Sequence, residues 1–405
     1  MKHPRNRFPD ADEMKPTDFP GQPGAKSPSS SRHVATTSPL PIPHQFTLPA
    51  VTASMLSHID VDELSALPRV TYEIGLRTQF RGITTRRGMI ITGPAGIAEW
   101  SPFEEYDTAE AGIWLAGAIQ AACFGLPTPR RDRVPINVTI PTVTPERARR
   151  LVAESQARTA KIKVSTTDPK CNDNATLEAD LARVAAVRAE LGPTGRIRID
   201  VNGTWSVDQA FTAITRFSEY GLEYVEQPCA TTVQLAQLRL RLAEAGIDVK
   251  IAADESIRKL GHLRQVIADK VADVVVIKTQ PLGGAFTCLS LLDQIGATGD
   301  EPGVDVVISS ALESSVGINA AVHLAAALDR PPLDCGLNTV QLFTADTVRD
   351  SLISRDGTLP VRTLGADDLV ADFPAATPPS TAWWEARYRQ CLAWLVEQVR
   401  LNSCT

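Results

Sequence analysis

Three acidic residues, Asp200, Glu226 and Asp254, each close a short apolar run, and they are 26 and 28 residues apart. The runs read RIRIDVNG, LEYVEQP and VKIAADES. One acid in such a place is more often a turn or N-cap residue than a ligand. Three in matching places, held by the turn residues Asn202-Gly203 and Gln227-Pro228, form a set. Carboxylates gathered on one rim repel one another unless a cation sits among them. Oxygen-only donors select a hard divalent ion, magnesium first and manganese as a substitute. Two more runs end in lysine: AKIKVS carries Lys161 and Lys163, and DVVVIKTQ carries Lys278. Taking a proton from beside a carboxylate creates a doubly charged enediolate. A divalent cation offsets that charge, one lysine takes the proton, and a second stabilises the anion. The substrate class is therefore a small-molecule carboxylate.

A spacing in the upper twenties is one strand, one helix and two turns. Repeating that unit builds parallel strands whose last residues share one rim. From residue 134 the strand candidates are VPINVTI, AKIKVS, RIRIDV, LEYVEQ, VKIAAD, DVVVIK, DVVISS and LDCGL, eight in all. Their nearly continuous Val/Ile content suits strands covered on both faces. Helix-forming stretches such as ATLEADLARVAAVRAELG and TTVQLAQLRLRLAEAG lie between them. The prediction is an α/β fold, a (β/α)7β TIM-like barrel over 134–368. Lys161 and Lys163 are two apart and share a face. An outward, snorkelling placement is the structural alternative, but Ile162 and Val164 take the helix-packed face, so the lysines point inward. The neighbouring ammonium would lower the pKa of Lys163 toward that of a usable base. In PLGGAF, Gly283 and Gly284 permit close backbone approach to a ligand. Ser309 and Ser310, with Glu313, Ser314 and Ser315 after them, serve equally as substrate contacts or as turn and N-cap residues. His262 and His323 fall within helical patterns and receive no role. Cys229 reads as a packing residue.

Residues 48–133 predict an α+β capping domain, with strands YEIGLRTQF, RGMIITG and GIAEWS and turns at Gly88, Gly93 and Gly96. AGIWLAGAIQAACFG reads as a helix closed by Gly125 and Pro127. The C-terminal segment, 369–405, sets Trp384, Tyr388, Leu392, Leu395 and Val399 on one helical face that packs back on the cap. Residues 1–47, rich in proline, serine and charge without hydrophobic period, predict a disordered tail. Net charge of -6 and a pI near 5.6 argue against nucleic acid or an anionic membrane as partner. No run of about 18 apolar residues predicts a membrane span, and no signal peptide is evident. Seven cysteines without a C-x-x-C pair suit free thiols and a cytoplasmic location. The oligomeric state is left open, a monomer being compatible with the sequence.

AKIKVS, DVNGTW, VEQPC, AADES and VIKTQPLGG together resemble the enolase superfamily, in the subgroup with K-x-K on the second barrel strand. FRGITTRRG, GPAGIAEWSPFEEYD and DCGLNTVQLF resemble, within it, the o-succinylbenzoate synthase family in its actinobacterial form. The resemblance covers roughly residues 50 to 370. It implies magnesium on Asp200, Glu226 and Asp254. Lys163 would be the base and then the acid assisting departure of hydroxide, Lys278 would stabilise the enediolate, and Lys161 would orient the substrate carboxylate. The implied reaction is dehydration of 2-succinyl-6-hydroxy-2,4-cyclohexadiene-1-carboxylate to 2-succinylbenzoate in menaquinone biosynthesis. N-succinylamino acid racemases and other lysine-based epimerases share the frame and form the alternative. Asp334-Cys335-Gly336 replaces the D-x-D of dipeptide epimerases. Asn338, where a smaller residue is usual, and the N-terminal tail depart from the family pattern. A Schiff-base aldolase would leave the three carboxylates unexplained, and a metal-binding scaffold would leave the lysines without a purpose.

Overall fold

The computed structural model describes residues 48–80, 82–164, 173–257, 260–297 and 303–403. The segment 1–47 lies outside the described residues. Helices α1 (Ala50–Leu56) and α2 (Val61–Ala66) precede an antiparallel sheet of β1 (Arg69–Phe80), β2 (Ile83–Gly93) and β3 (Gly96–Trp100). Pro94 and Ala95 join β2 to β3 between the paired residues Gly93 and Gly96. Gly88, expected in a turn, instead lies inside β2 opposite Tyr72. The reason is steric: a Cβ there would stand 2.5 Å from that of Ser101 and 2.8 Å from the Tyr72 hydroxyl. Helix α3 (Thr108–Phe124) starts where the Asp107 side chain accepts from the Glu110 amide and stops at Gly125, φ 84°.

A short antiparallel ribbon pairs β4 (Arg133–Pro135) with a later strand, Thr358–Pro360. The barrel strands are β5 (Val138–Ile140), β6 (Thr159–Lys163), β7 (Arg196–Asp200), β8 (Leu222–Glu226), β9 (Lys250–Ala253), β10 (Val274–Lys278), β11 (Asp305–Ser309) and β12 (Leu333–Gly336). They pair in parallel in that order. A parallel bridge from Ile136 to Cys335 brings β5 beside β12 and closes the ring. Between strands run α4 (Pro145–Ser155), α5 (Asp173–Leu191), α6 (Val207–Phe217), α7 (Thr232–Glu244), α8 (Leu260–Ala268), α9 (Ala285–Gln294) and α10 (Ser315–Ala327). Among the described residues, eight strands and seven helices make the (β/α)7β barrel that the strand runs predicted. Ser206 with Gln209 and Thr231 with Gln234 form capping boxes that start α6 and α7.

Outward strand residues such as Ala160, Ile162, Ile197, Ile199 and Val225 bury against the helices. A separate inner cluster of Tyr224, Ala252, Val274, Val276 and Val307 fills the barrel. Helix α11 (Pro378–Ser403) returns to the cap, where Trp384, Tyr388, Leu392 and Leu395 bury with Trp100 and Trp114. Trp100 meets Trp384 edge-on at 5.3 Å. Cap and barrel touch backbone to backbone, since a Cβ on Gly117 of α3 would fall 2.6 Å from the Gly284 amide nitrogen. No described helix is long and apolar enough to cross a membrane, and the five described cysteines are free.

Candidate active site

Alternation along each strand decides which side chains reach the barrel mouth. On β6, Ala160 and Ile162 pack outward, which leaves Thr159, Lys161 and Lys163 inward. The register aligns Lys163 with Asp200, Asp200 with Glu226, and Lys278 with Ser309. The three carboxylates therefore occupy the ends of consecutive strands β7, β8 and β9. Lys161 and Lys163 flank them on β6, and Lys278 flanks them on β10. From β6 to β10 is four steps in a ring of eight strands, so the lysines face one another across the mouth.

The charges interlock. Lys161 Nζ donates to Asp200 Oδ2 at 3.0 Å and Glu226 Oε1 at 2.8 Å. Lys163 Nζ donates to Asp200 Oδ2 at 2.6 Å and Asn202 Oδ1 at 2.8 Å. Lys278 Nζ lies 2.6 Å from both oxygens of Asp254. Among the described residues no three acidic, histidine or cysteine side chains converge as a ready ligand set; here each carboxylate is matched to an ammonium. Burial raises the Glu226 carboxyl, and Asp200 adds to it, to about 7 despite Lys161. Burial also works against ionised Asp200, but Lys161 and Lys163 hold it well below the ordinary range. Burial opposes the Lys161 ammonium too, yet Asp200 and Glu226 keep its pKa well above the usual lysine value. Three buried carboxylates crowded into one arc want more positive charge than water would supply.

Arg183 and Gln227 support this arc; sequence pattern gave Arg183 no role and Gln227 only that of a turn residue. Arg183 on α5 pairs with Asp180 at 2.6 Å and donates to the carbonyls of Lys163 at 3.1 Å and Val143 at 2.7 Å. It thereby ties the end of β6 to the loop after β5. The available signal was an Asp–Arg pair at i,i+3 in an otherwise amphipathic helix. Gln227, at φ 40°, accepts from the amides of Asp254 and Ser256 and donates to the Cys229 carbonyl. One side chain thus fixes the end of β8 against the end of β9. Below the mouth, Arg198 lies over the Tyr224 ring and bonds Glu223 and Asn137. Asp334 accepts from Thr159 at 2.7 Å in the same floor.

The remaining site candidates divide. Ser309 stands beside Lys278 on the inner face, its hydroxyl 3.4 Å from the Gly336 carbonyl. Ser310 turns its hydroxyl to Thr339 and the Leu312 amide. The amides of Gly283 and Gly284 close a turn onto Gln280 and Thr279, and a Cβ on Gly283 would meet Ile113 of the cap. The close approach this glycine pair permits in the folded chain is to α3 of the cap. Burial pushes the Cys229 thiol up to about 11, which suits packing and disfavours a thiolate. His323 bridges the carbonyls of Pro127 and Arg362, and His262 is exposed on α8.

Behind the rim, Glu313 is 1% exposed. Burial first, and Glu99 from β3 second, raise its carboxyl from 4.5 to about 7, against Arg86 from β2 and the Ala311 amide. A raised folded pKa means the folded state binds the proton more tightly. Stability from this group is full below pH 4.5 and is lost as pH rises to about 7. At about 1.4 kcal/mol per pKa unit, the loss is on the order of 3 kcal/mol. Glu313→Gln is expected to lessen the fall in melting temperature between pH 5 and 7, leaving the share due to Glu226, and to raise it by several degrees at pH 8. An unchanged pH profile would remove Glu313 as the source.

The enolase C-terminal domain-like family model matches residues 144–366, and the enolase N-terminal domain-like model matches 71–122. The o-succinylbenzoate synthase of Thermobifida fusca (strain YX) is 47% identical over 317 residues, 78% of this chain and 93% of that protein. The one from Mycobacterium ulcerans (strain Agy99) is 43% identical over 346 residues, 85% of this chain and 96% of that protein. Among solved structures, the L-Ala-D/L-Glu epimerase from Bacillus subtilis superposes with TM-score 0.61 at 20% identity, over 77% of this chain and 99% of that one. An N-succinyl Arg/Lys racemase from Bacillus cereus gives 0.59 at 19% identity, over 73% and 91%. Those two likenesses concern the fold alone. With a matching barrel, matching cap and relatives above 40% identity over most of their length, the chain belongs to the enolase superfamily and, within it, to the o-succinylbenzoate synthase family.

Proposed function

We propose that this chain dehydrates 2-succinyl-6-hydroxy-2,4-cyclohexadiene-1-carboxylate to 2-succinylbenzoate, a hydro-lyase step of menaquinone (vitamin K2) biosynthesis. The observation that carries this is the arc of three buried carboxylates flanked by lysines on opposite sides of the mouth, in a chain 47% identical to an o-succinylbenzoate synthase. Lys163 removes the α-proton and, as its conjugate acid, protonates the departing hydroxyl on the same face. Lys278 stabilises the enediolate from the other side. Lys161 orients the substrate carboxylate, and Ser309 lines the same rim. Aromatisation of the ring supplies the driving force.

Proteins of the enolase superfamily generally depend on a divalent metal. In this chain Asp200, Glu226 and Asp254 would hold it, with Mg²⁺ preferred and Mn²⁺ acceptable, because all the donors are oxygens on adjacent strand ends. When bound, it supplies the positive charge that the enediolate requires. The test is an assay of the purified protein on the cyclohexadiene substrate. Aromatic product should form at about 1–10³ s⁻¹, the ordinary range for enzymes. Racemisation of N-succinylamino acids with no dehydration would overturn the reading in favour of a racemase.

A further inference from the structure

The N-terminus of α10 lacks part of its own cap. Ser314 is the N-cap residue. In a capping box the third helical residue is Glu or Gln, whose side chain accepts from the N-cap amide. Here that residue is Gly317. A Cβ there would stand 2.6 Å from Glu313 Cβ and 3.0 Å from Gln280 Nε2. The missing carboxylate comes from the cap. Glu99 on β3 accepts from the Ser314 amide at 3.3 Å, the Ser314 hydroxyl at 2.5 Å and the Gly317 amide at 3.0 Å. It also accepts from Tyr72 and Ser101, both at 2.7 Å.

Both rim segments beside the mouth hang from this carboxylate. One is the loop from Ser309 to Ser314, in which Leu312 sits at φ 69°, a strained conformation for a branched side chain. Arg86 on β2 holds that loop through the Leu312 carbonyl at 2.8 Å. The other is the turn after Lys278. There Gln280 exchanges hydrogen bonds with the Ser101 amide and hydroxyl, both at 3.2 Å, and that hydroxyl donates to Glu99. We propose that Glu99 is a positioning residue for the reaction: it caps α10 from another domain and so makes docking of the cap set the rim loops that follow Lys278 and Ser309. The proposal rests on the reading of that rim as the active site.

The test compares Glu99→Ala and Glu99→Gln with Tyr72→Phe, which removes one Glu99 hydrogen bond made within the cap and keeps the ring that packs in one cluster with Leu312. Misplacing catalytic groups by about 1 Å can cost on the order of 10²-fold in rate. The expected kcat/KM falls by about that factor in Glu99→Ala and by about tenfold in Glu99→Gln, which keeps an acceptor for Gly317. The loss should lie in kcat more than in KM. Amide hydrogen exchange at residues 310–317 should quicken in both Glu99 variants and not in Tyr72→Phe. If Glu99→Ala does not fold, Glu99→Gln decides. Unchanged kcat and KM in a Glu99→Gln protein of lowered melting temperature would make Glu99 merely structural and overturn the proposal, as would unchanged exchange at 310–317. Should the parent protein fail to dehydrate the cyclohexadiene, the functional reading falls, while exchange still reports whether Glu99 holds the rim.

Discussion

Replacing Lys163 with alanine is expected to abolish dehydration and to stop exchange of the substrate α-proton with solvent deuterium. A positioned base contributes about 10²–10⁴-fold, and here the same group must also return its proton to the departing hydroxyl. Lys278→Ala is expected to slow dehydration by about 10²–10³-fold, the usual cost of removing one group that stabilises a developing anion. Geometry separates the two roles. Lys163 shares β6 with Lys161 and bonds Asp200 and Asn202, whereas Lys278 ends β10, halfway around the ring, and engages Asp254. A one-base elimination needs one lysine on the face from which both proton and hydroxyl depart. A racemase needs one on each face. Deuterium incorporation into unreacted substrate, followed by NMR, distinguishes them. Exchange that persists in Lys163→Ala and vanishes in Lys278→Ala would reverse the assignments.

The barrel and its mouth were legible because their signals are local and periodic. Each strand is a run of Val and Ile, and a period of two sends Lys161 and Lys163 inward once Ile162 and Val164 are given to the helices. The acids were legible because a strand end followed by Asn-Gly or Gln-Pro leaves one place for a carboxylate to go. Contacts between remote segments left no such trace. Glu99 and Ser314 are 215 positions apart, and Arg183 meets the Lys163 carbonyl from the outer face of the barrel. The glycines carry remote contacts of the same kind. Gly88 is small because Tyr72 and Ser101 crowd it, and Gly284 because Gly117 of another domain lies against it. Glycine in a sequence announces close approach without saying what approaches.

Magnesium is expected to stabilise the chelator-treated protein and to restore its activity from zero. Asp200, Glu226 and Asp254 are each 5% exposed or less, on adjacent strand ends. Lys161, Lys163 and Lys278 pair with them, and Glu226 is nonetheless pushed up to about 7 by burial and by Asp200. A divalent ion held by these carboxylates would relieve that repulsion and would leave the lysines paired with Asp200 and Asp254 available to substrate. At a concentration a hundred times its dissociation constant, an ion that binds only the folded state adds about 2.7 kcal/mol of stability. The melting temperature should therefore rise with magnesium in the parent protein and stay flat in Asp254→Asn and Glu226→Gln. Calorimetry should find the tight site absent from both variants. Asp254→Asn removes the partner of Lys278 as well, so its melting temperature without metal is the baseline for its own comparison. Full turnover in excess chelator would dismiss the metal from the reaction, and normal magnesium binding by Asp254→Asn would dismiss Asp254 from the site.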